Sequence, residues 1–377
     1  MRIGIVCYPT FGGSGVVATE LGMALAEKGH QVHFITYKQP VRLDLISRNI
    51  HFHEVFVEEY PLFHFQPYEL ALSSKIVEVV EMYELEILHV HYAIPHAYAA
   101  YMAKKMLSEK EIDIKVVTTL HGTDITLVGS HPNYKTAVEF SINNSDVVTT
   151  VSESLRKDTI RLFKITKDIK VIYNFIDFEK YPEIDSEECN RHTIATEDER
   201  IISHISNLRP VKRVADVIDI FYKIQKKIPS KLLLVGEGPD REMIEFQAKD
   251  LGILDKILFM GNTHEVNKLL CYSDLFLLPS ETESFGLAAL EAMAAQTPVI
   301  STNSGGLTEV NIQGVTGFLS NVGDTDEMAE NGIHILENPE KLQQFKKNAL
   351  NQAKKFSIQN ILPFYKEVYR EVIADCC

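Results

Sequence analysis

Short apolar runs alternate with longer amphipathic stretches along nearly the whole chain, and that alternation breaks once and starts again. In the first half, residues 2–8, 32–36, 87–91, 115–119, 147–151 and 171–173 read as strands, and 14–28, 71–83 and 97–107 as helices. Strands alternating with helices predict a parallel sheet covered on both faces. Between Phe178 and Arg200 the pattern fails: the stretch is polar, acidic and without apolar periodicity, and reads as a linker. The alternation then resumes, with strands at 201–206, 231–235, 257–260, 275–278 and 299–302 and helices at 215–227, 240–251, 266–271 and 285–295. Residues 339–372 are helical and charged. A chain of 377 residues suits two domains at ~150 residues each. The prediction is an α/β protein of two doubly wound units with a cleft between the C-terminal ends of their sheets, where ligands of this architecture bind.

Composition decides which partners to exclude. Apolar residues make up 45% of the chain, enough for a core that needs no metal or disulfide. Lys and Arg number 38 against 52 Asp and Glu, a net charge of −14. Such a balance argues against nucleic acid or an anionic membrane as partner, so any phosphate site must be built locally. The five cysteines (Cys7, Cys189, Cys271, Cys376 and Cys377) show no CxxC spacing and read as reduced thiols. The N-terminus does not read as a signal peptide, and no stretch reaches ~18 uncharged apolar residues. A cytoplasmic protein is expected.

Two segments carry features that could bind an anion. Gly12-Gly13-Ser14-Gly15 lies between the first strand and the first helix, and Gly13 through Ala18 fits the dinucleotide pattern G-x-G-x-x-A. That pattern wants an acidic residue ~20 positions on to hold a ribose, and His33 to Pro40 contains none. A tight turn and a loop for another anionic ligand are the remaining readings. Further on, Glu283 and Glu291 are separated by seven residues. On one helix they would stand ~12 Å apart along the axis at ~1.5 Å per residue. That exceeds the ~5.5 and ~9.5 Å carboxylate separations of retaining and inverting glycosidases. Glu283 is better placed in the loop and Glu291 within the helix. Ser284, Phe285 and Gly286 then offer N–H groups to a pyrophosphate at the helix N-terminus. The plainer reading is acid–dipole complementarity, with Glu291 on a solvated face.

Arg209, Lys212 and Arg213 follow the first strand of the second unit. Cations oppose the dipole at a helix N-terminus, which favours an anionic partner over a merely solvated helix start. Gly236-Glu237-Gly238-Pro239 follows the next strand and reads as a turn or a ligand contact. Among fourteen histidines, His89, His91 and His96 cluster, and His121 stands in Leu120-His121-Gly122-Thr123-Asp124. His89 and His91 share a strand face. They lack a carboxylate at useful spacing for a metal, so His121 is left as a core histidine or a substrate contact.

Taken in order, these segments resemble the retaining GT-B glycosyltransferases of family 4, which carry an E-x7-E motif, and the resemblance spans essentially the whole chain. It implies two Rossmann-like domains facing across a cleft: residues 1–177 for the acceptor, with a helix at about 360–377 packing back on them, and 178–359 for the nucleotide sugar. CYPTFGGSGVVATELG, HVHYAIPHAYAAYMAKK, VTTLHGTDIT and VIYNFID are similar to the members that move N-acetylglucosamine from UDP-GlcNAc to the hydroxyl of L-malate, opening bacillithiol synthesis. The resemblance gives catalytic parts to His121, Glu283, Arg209 and Lys212. Glu291 would bind the ribose and Glu283 the transferred sugar, with Ser284, Phe285 and Gly286 donating N–H groups. Arg209 and Lys212 would hold the diphosphate, and Gly13, Ser14 and Gly15 would close over donor and malate. Tyr92, Thr119, His121 and Asn174, with Ser14, would line the acceptor pocket, and uracil would sit near residues 261–266. No cofactor, metal, nucleic acid or membrane is implied; a homo-oligomer is left open. The chain departs from the family at Asn207, where an arginine is usual, and at Ala295-Gln296-Thr297-Pro298, where many members have Gly before the Pro.

Overall fold

The computed structural model describes residues 1–10, 12–58, 64–180, 191–263 and 266–374. Two compact units emerge: Met1–Phe175 with Ile358–Cys377, and Ile176–Ser357. The middle of the expected linker, residues 181–190, lies outside the described residues, as do Cys189, Cys376 and Cys377.

The first unit runs β1 (Arg2–Val6), α1 (Gly13–Glu27), β2 (Gln31–Thr36), β3 (Ile50–Glu54), α2 (Tyr68–Tyr83), β4 (Ile87–His91), α3 (Tyr98–Ser108), β5 (Lys115–Leu120), α4 (Pro132–Asn144), β6 (Val147–Thr150), α5 (Glu153–Leu162) and β7 (Ile169–Val171). Its seven strands are all parallel, in the order β3-β2-β1-β4-β5-β6-β7. The central strands are buried along their length, β4 completely, as expected when both faces are covered. On one face Leu88, Val90 and Val116 pack with Ile76 and Val79 of α2 and Ala100 of α3. β3 escaped the sequence reading because Ile50-His51-Phe52-His53-Glu54 is an edge strand with only its first residue buried.

The second unit runs β8 (Arg200–Ile205), α6 (Val214–Gln225), β9 (Ser230–Val235), α7 (Arg241–Asp250), β10 (Ile257–Gly261), α8 (Val266–Cys271), β11 (Leu275–Leu278), α9 (Leu287–Ala294), β12 (Val299–Thr302), α10 (Leu307–Val310), β13 (Gly317–Ser320), α11 (Thr325–Leu336) and α12 (Pro339–Ala353). Its six parallel strands run β10-β9-β8-β11-β12-β13. Ile218, Phe221, Leu232, Leu277, Ile300 and Ile335 belong to its core. The last helix, α13 (Ile358–Ala374), belongs to the first unit. Its buried residues Ile361, Leu362, Tyr365, Val368, Tyr369 and Val372 recur at helical spacing. Each of the aliphatic side chains among them stabilises by about 1.5–3 kcal/mol when fully buried.

The α/β expectation of two doubly wound units therefore holds. One expectation fails: Cys271 is disulfide-bonded, whereas Cys7 is free and buried. No helix among the described residues is long and apolar enough to cross a membrane.

Candidate active site

Each sheet reverses its strand order once, between β1 and β4 in the first unit and between β8 and β11 in the second. Ligands of doubly wound sheets bind at the C-terminal ends of the strands beside that reversal. β1 leads into Gly13 to Gly15 at the start of α1, and the segments leaving β4, β8 and β11 carry Tyr92, Arg209 with Lys212, and Glu283 to Gly286.

In the second unit, the Lys212 Nζ donates to Glu283 Oε1 at 2.5 Å, and Ser280 Oγ donates to the same oxygen at 2.9 Å. Glu283 is mostly buried, so its charge depends on these two partners. The backbone joins the two loops as well: Glu281 N–H donates to Val211 O at 2.9 Å. Beneath them His204 is buried, donating from Nδ1 to Leu277 O at 2.8 Å and accepting at Nε2 from Ser206 Oγ at 2.7 Å. Burial, aided by the nearby Lys212 charge, lowers its pKa to about 4, so it is neutral. Arg209 is exposed and has no ion-pair partner among the described residues. Arg213 turns instead to Asp216 at 2.6 Å.

Helix α9 starts at Leu287, with Gly286 as its left-handed cap at φ +94°. The helical ladder opens with Leu290 N–H on Gly286 O, so the amides of Leu287, Ala288 and Ala289 have no acceptor within the helix. The helix thus begins later than expected, and Glu291 sits half-buried in its second turn. Phe285 has its ring in the core at 2% exposure, edge-on against Phe356, so the ring is withdrawn from any ligand. Of the expected uracil site, Gly261 is described, while His264 and Glu265 lie outside the described residues.

Close backbone approach explains the glycines around this rim. A Cβ on Gly236, at φ +120°, would stand 1.8 Å from Ser206 O. One on Gly305, at φ +60°, would stand 2.0 Å from Glu283 O, and Gly306 N–H donates to that same oxygen at 2.8 Å. The Ser304-Gly305-Gly306 loop thus braces the segment that carries Glu283, with Ser304 Oγ donating to Glu281 O at 2.7 Å. Sequence reasoning missed this loop and Ser280; a glycine pair directly after a strand was the available signal.

The first unit builds its rim from hydroxyls and imidazoles. Ser14 Oγ and Tyr92 OH lie 2.9 Å apart. Tyr92 takes φ +87°, a conformation costing a non-glycine residue about 1–3 kcal/mol, and is tied down by its N–H on Thr119 O at 2.9 Å. His121 packs its ring 5.3 Å from that of Tyr92 and pairs Nε2 with His91 Nδ1 at 2.8 Å. Asp124, buried, accepts from the N–H groups of Ala93 (2.9 Å), Gly122 (3.0 Å) and His121 (3.3 Å), clipping the loops after β4 and β5 together. Burial raises its pKa to about 6 against the pull of those donors.

Thr119 differs from the acceptor-lining role implied for it. Thr119 is fully buried, its hydroxyl engaged with His89 Nε2 and Thr149 Oγ1 at 2.7 Å each. A β-strand alternates its faces, and Thr119 points into the covered face where Tyr369 OH meets His89 Nδ1 at 2.6 Å. It supports the rim from below. Asn174 is 6% exposed with a buried Oδ1 that meets no partner among the described residues. Among the described residues no cluster of His, Cys, Asp or Glu has the geometry to hold a metal.

Two family models match the chain in tandem: "Glycosyltransferase Family 4" over residues 11–180 and "Glycosyl transferases group 1" over 185–352. N-acetyl-alpha-D-glucosaminyl L-malate synthase of Bacillus anthracis is 48% identical over 376 residues, covering 100% of this chain and 98% of that protein. An uncharacterized glycosyltransferase of Methanocaldococcus jannaschii is 28% identical over 98% of each chain. Among solved structures, HepE of Anabaena in complex with UDP-glucose superposes with a TM-score of 0.82 at 21% identity, over 98% of this chain and 100% of that one. Sucrose-phosphate synthase of Thermosynechococcus elongatus does so with a TM-score of 0.81 at 20% identity, over all of both.

Proposed function

The chain belongs to the family 4 glycosyltransferases with the GT-B fold, and from that premise we propose that it transfers N-acetylglucosamine from UDP-GlcNAc to the hydroxyl of L-malate with retention of the α configuration. The 48% identity to the Bacillus anthracis synthase over the whole chain supports both substrates. The observation that carries the chemistry is the second unit's rim, where Lys212 and the N-terminus of α9 flank the strand-order reversal. When the bond between C1 of the sugar and the diphosphate oxygen breaks, negative charge develops on that diphosphate. A lysine and helix amides stabilise it without a metal. Arg209, exposed beside Lys212, adds a second cation.

In this proposal Glu291 holds the ribose and Glu283 the sugar hydroxyls. Ser14, Tyr92 and His121 contact malate, and Gly13 and Gly15 let the backbone at the start of α1 approach the substrates. The malate hydroxyl oxygen bonds to C1 on the face that the leaving group departs. Its proton passes to the departing diphosphate oxygen, so no protein nucleophile is needed. A nucleotide-sugar donor and a metabolic acid as acceptor suit the cytoplasm.

The test is product formation from UDP-GlcNAc over L-malate, lactate, succinate and inositol phosphate, with the anomeric configuration read by NMR and excess EDTA present. The expected product is the α-linked GlcNAc–malate conjugate. Lactate should fail because the donors meant for the second carboxylate are left unmatched. Preference for inositol phosphate, or UDP binding with no transfer to any acceptor, would overturn the reading.

A further inference from the structure

We propose that His91 is a positioning residue that holds His121 with its proton on Nδ1, so that His121 meets the bound substrate as a hydrogen-bond donor and not as a base. The inference deepens the proposed function and rests on its placing of His121 at the acceptor.

His91 ends β4 and His121 follows β5, neighbouring strands whose register pairs His91 with Thr119. The two rings face each other at 5.1 Å between centroids, with His91 Nδ1 and His121 Nε2 at 2.8 Å. One proton lies between those nitrogens. If His91 donates it, His121 is left with its own proton on Nδ1. If His121 donates it, His91 must carry its proton on Nε2.

The surroundings of His91 decide between the two. Its Nε2 is buried and meets no hydrogen-bond partner among the described residues. The stacked ring of His89, at 4.5 Å, cannot help, because Tyr369 OH and Thr119 Oγ1 occupy both its nitrogens. His96 points its Nδ1 at the carbonyl of His91, 2.5 Å away, and so fixes the strand end rather than the ring. An orphaned buried N–H is rarer and costlier than a bare acceptor. His91 therefore keeps Nε2 bare and donates from Nδ1.

No ring of the group escapes the choice by taking a second proton. Burial holds His89 and His121 at about 3 and His96 at about 4, with His91 well below its ordinary value, and the remaining charged group of the cluster, Asp124, is engaged by backbone amides. With Nε2 of His121 engaged inward, Nδ1 is its only nitrogen left for a ligand. It has no protein partner among the described residues, yet is not among the buried unpartnered atoms, so it reaches the surface. A donor there suits a hydroxyl, carboxylate or phosphate oxygen. It also leaves the acceptor's proton to the departing diphosphate.

The experiment is ¹⁵N NMR of the full chain labelled in histidine, with the His121 signals assigned by their loss in His121→Gln. The native protein should show His121 protonated on Nδ1 alone from pH 6 to pH 9, a result that needs no further variant. His91→Leu should shift His121 toward Nε2–H. It should lower turnover by about ten- to a hundredfold, the scale for losing an orienting partner, with UDP affinity unchanged. His91→Asn, whose amide nitrogen stands where Nδ1 does, should restore the Nδ1–H form and most of the turnover. A native His121 protonated on Nε2, a charged His121 in that pH range, or a native tautomer in His91→Leu would each overturn the proposal. The tautomer is read without turnover, so absence of transfer by the native enzyme would overturn the proposed function and leave the tautomer assignment of His91 and His121 standing.

Discussion

The two units share a topology and a crevice position, yet their rims are built from opposite chemistry. The second presents charge: the Lys212–Glu283 pair, the exposed Arg209 and the start of α9. The first presents mainly neutral polarity, Ser14 on Tyr92 and His121 on His91, with the Asp124 carboxylate enclosed by backbone amides. Strand order alone therefore locates a ligand without naming it. What binds follows from how each rim handles charge, and a rim of fixed charges suits a leaving diphosphate where a rim of hydroxyls and imidazoles suits a small hydroxylated acid.

Acid should break the comparison most strongly. In the first unit, burial lowers His33, His89 and His121 to about 3 and His96 to about 4, with His91 well below 6.5. In the second, His204 is the one described histidine so lowered, to about 4. Each such group binds a proton below about 6.5 when unfolded but only at much lower pH when folded. The unfolded state then holds more protons, and stability is lost as pH falls from 6.5. Asp124 acts in the opposite sense, since its pKa of about 6 makes the folded state the better proton binder between 3.8 and 6. One carboxyl does not offset five imidazoles. Hydrogen exchange followed from pH 7 to pH 5 should show β4 and β5 losing protection before β8 and β11; the reverse order would contradict the assignment.

Lys212→Ala should come next. Its loss removes the cation at the developing charge and leaves Glu283 with the Ser280 hydroxyl. The expected fall in kcat is ~10²–10³-fold, about 3–4 kcal/mol. A double-mutant cycle with Glu283→Gln separates the ion pair from the contact to substrate. If Lys212→Ala kept native turnover, the lysine would be serving Glu283 alone.

Gly305→Ala is a smaller probe of the same rim. The added Cβ meets Glu283 O at 2.0 Å in a left-handed backbone, so both the strain and the clash fall on the loop that carries Glu283. A loss of more than about 1 kcal/mol in stability is expected, with weaker UDP binding. An unchanged Tm and UDP affinity would show that the loop is not braced there.

The second unit was the more legible in sequence because its chemistry is charge. Arg209, Lys212, Glu283 and Glu291 stand out in any reading that asks where cations oppose a helix dipole or where carboxylates repeat. In the first unit the informative contacts are between residues about thirty positions apart, such as His91 with His121 and Thr119 with His89. Each of these residues reads alone as core or as ligand contact, and only the β4–β5 register decides. The side chain of Thr119 points beneath the rim, although His121, two residues on, stands at it. The glycine-braced loop at Ser304 to Gly306 was missed because the need for glycine arises from a backbone far away in sequence, at Glu283.

Tyr92→Phe is the gentlest change, since it removes one hydroxyl and its partnership with Ser14, worth about 1 kcal/mol. Paired with Lys212→Ala, it also gives the most direct test of the division between the two rims. UDP affinity by calorimetry and the KM for malate are measured for both variants and the native enzyme. Lys212→Ala should weaken UDP binding with little change in the malate requirement, while Tyr92→Phe should raise the KM for malate about fivefold with native UDP affinity. Equal losses of UDP affinity in both variants, or a malate effect confined to Lys212→Ala, would contradict that division.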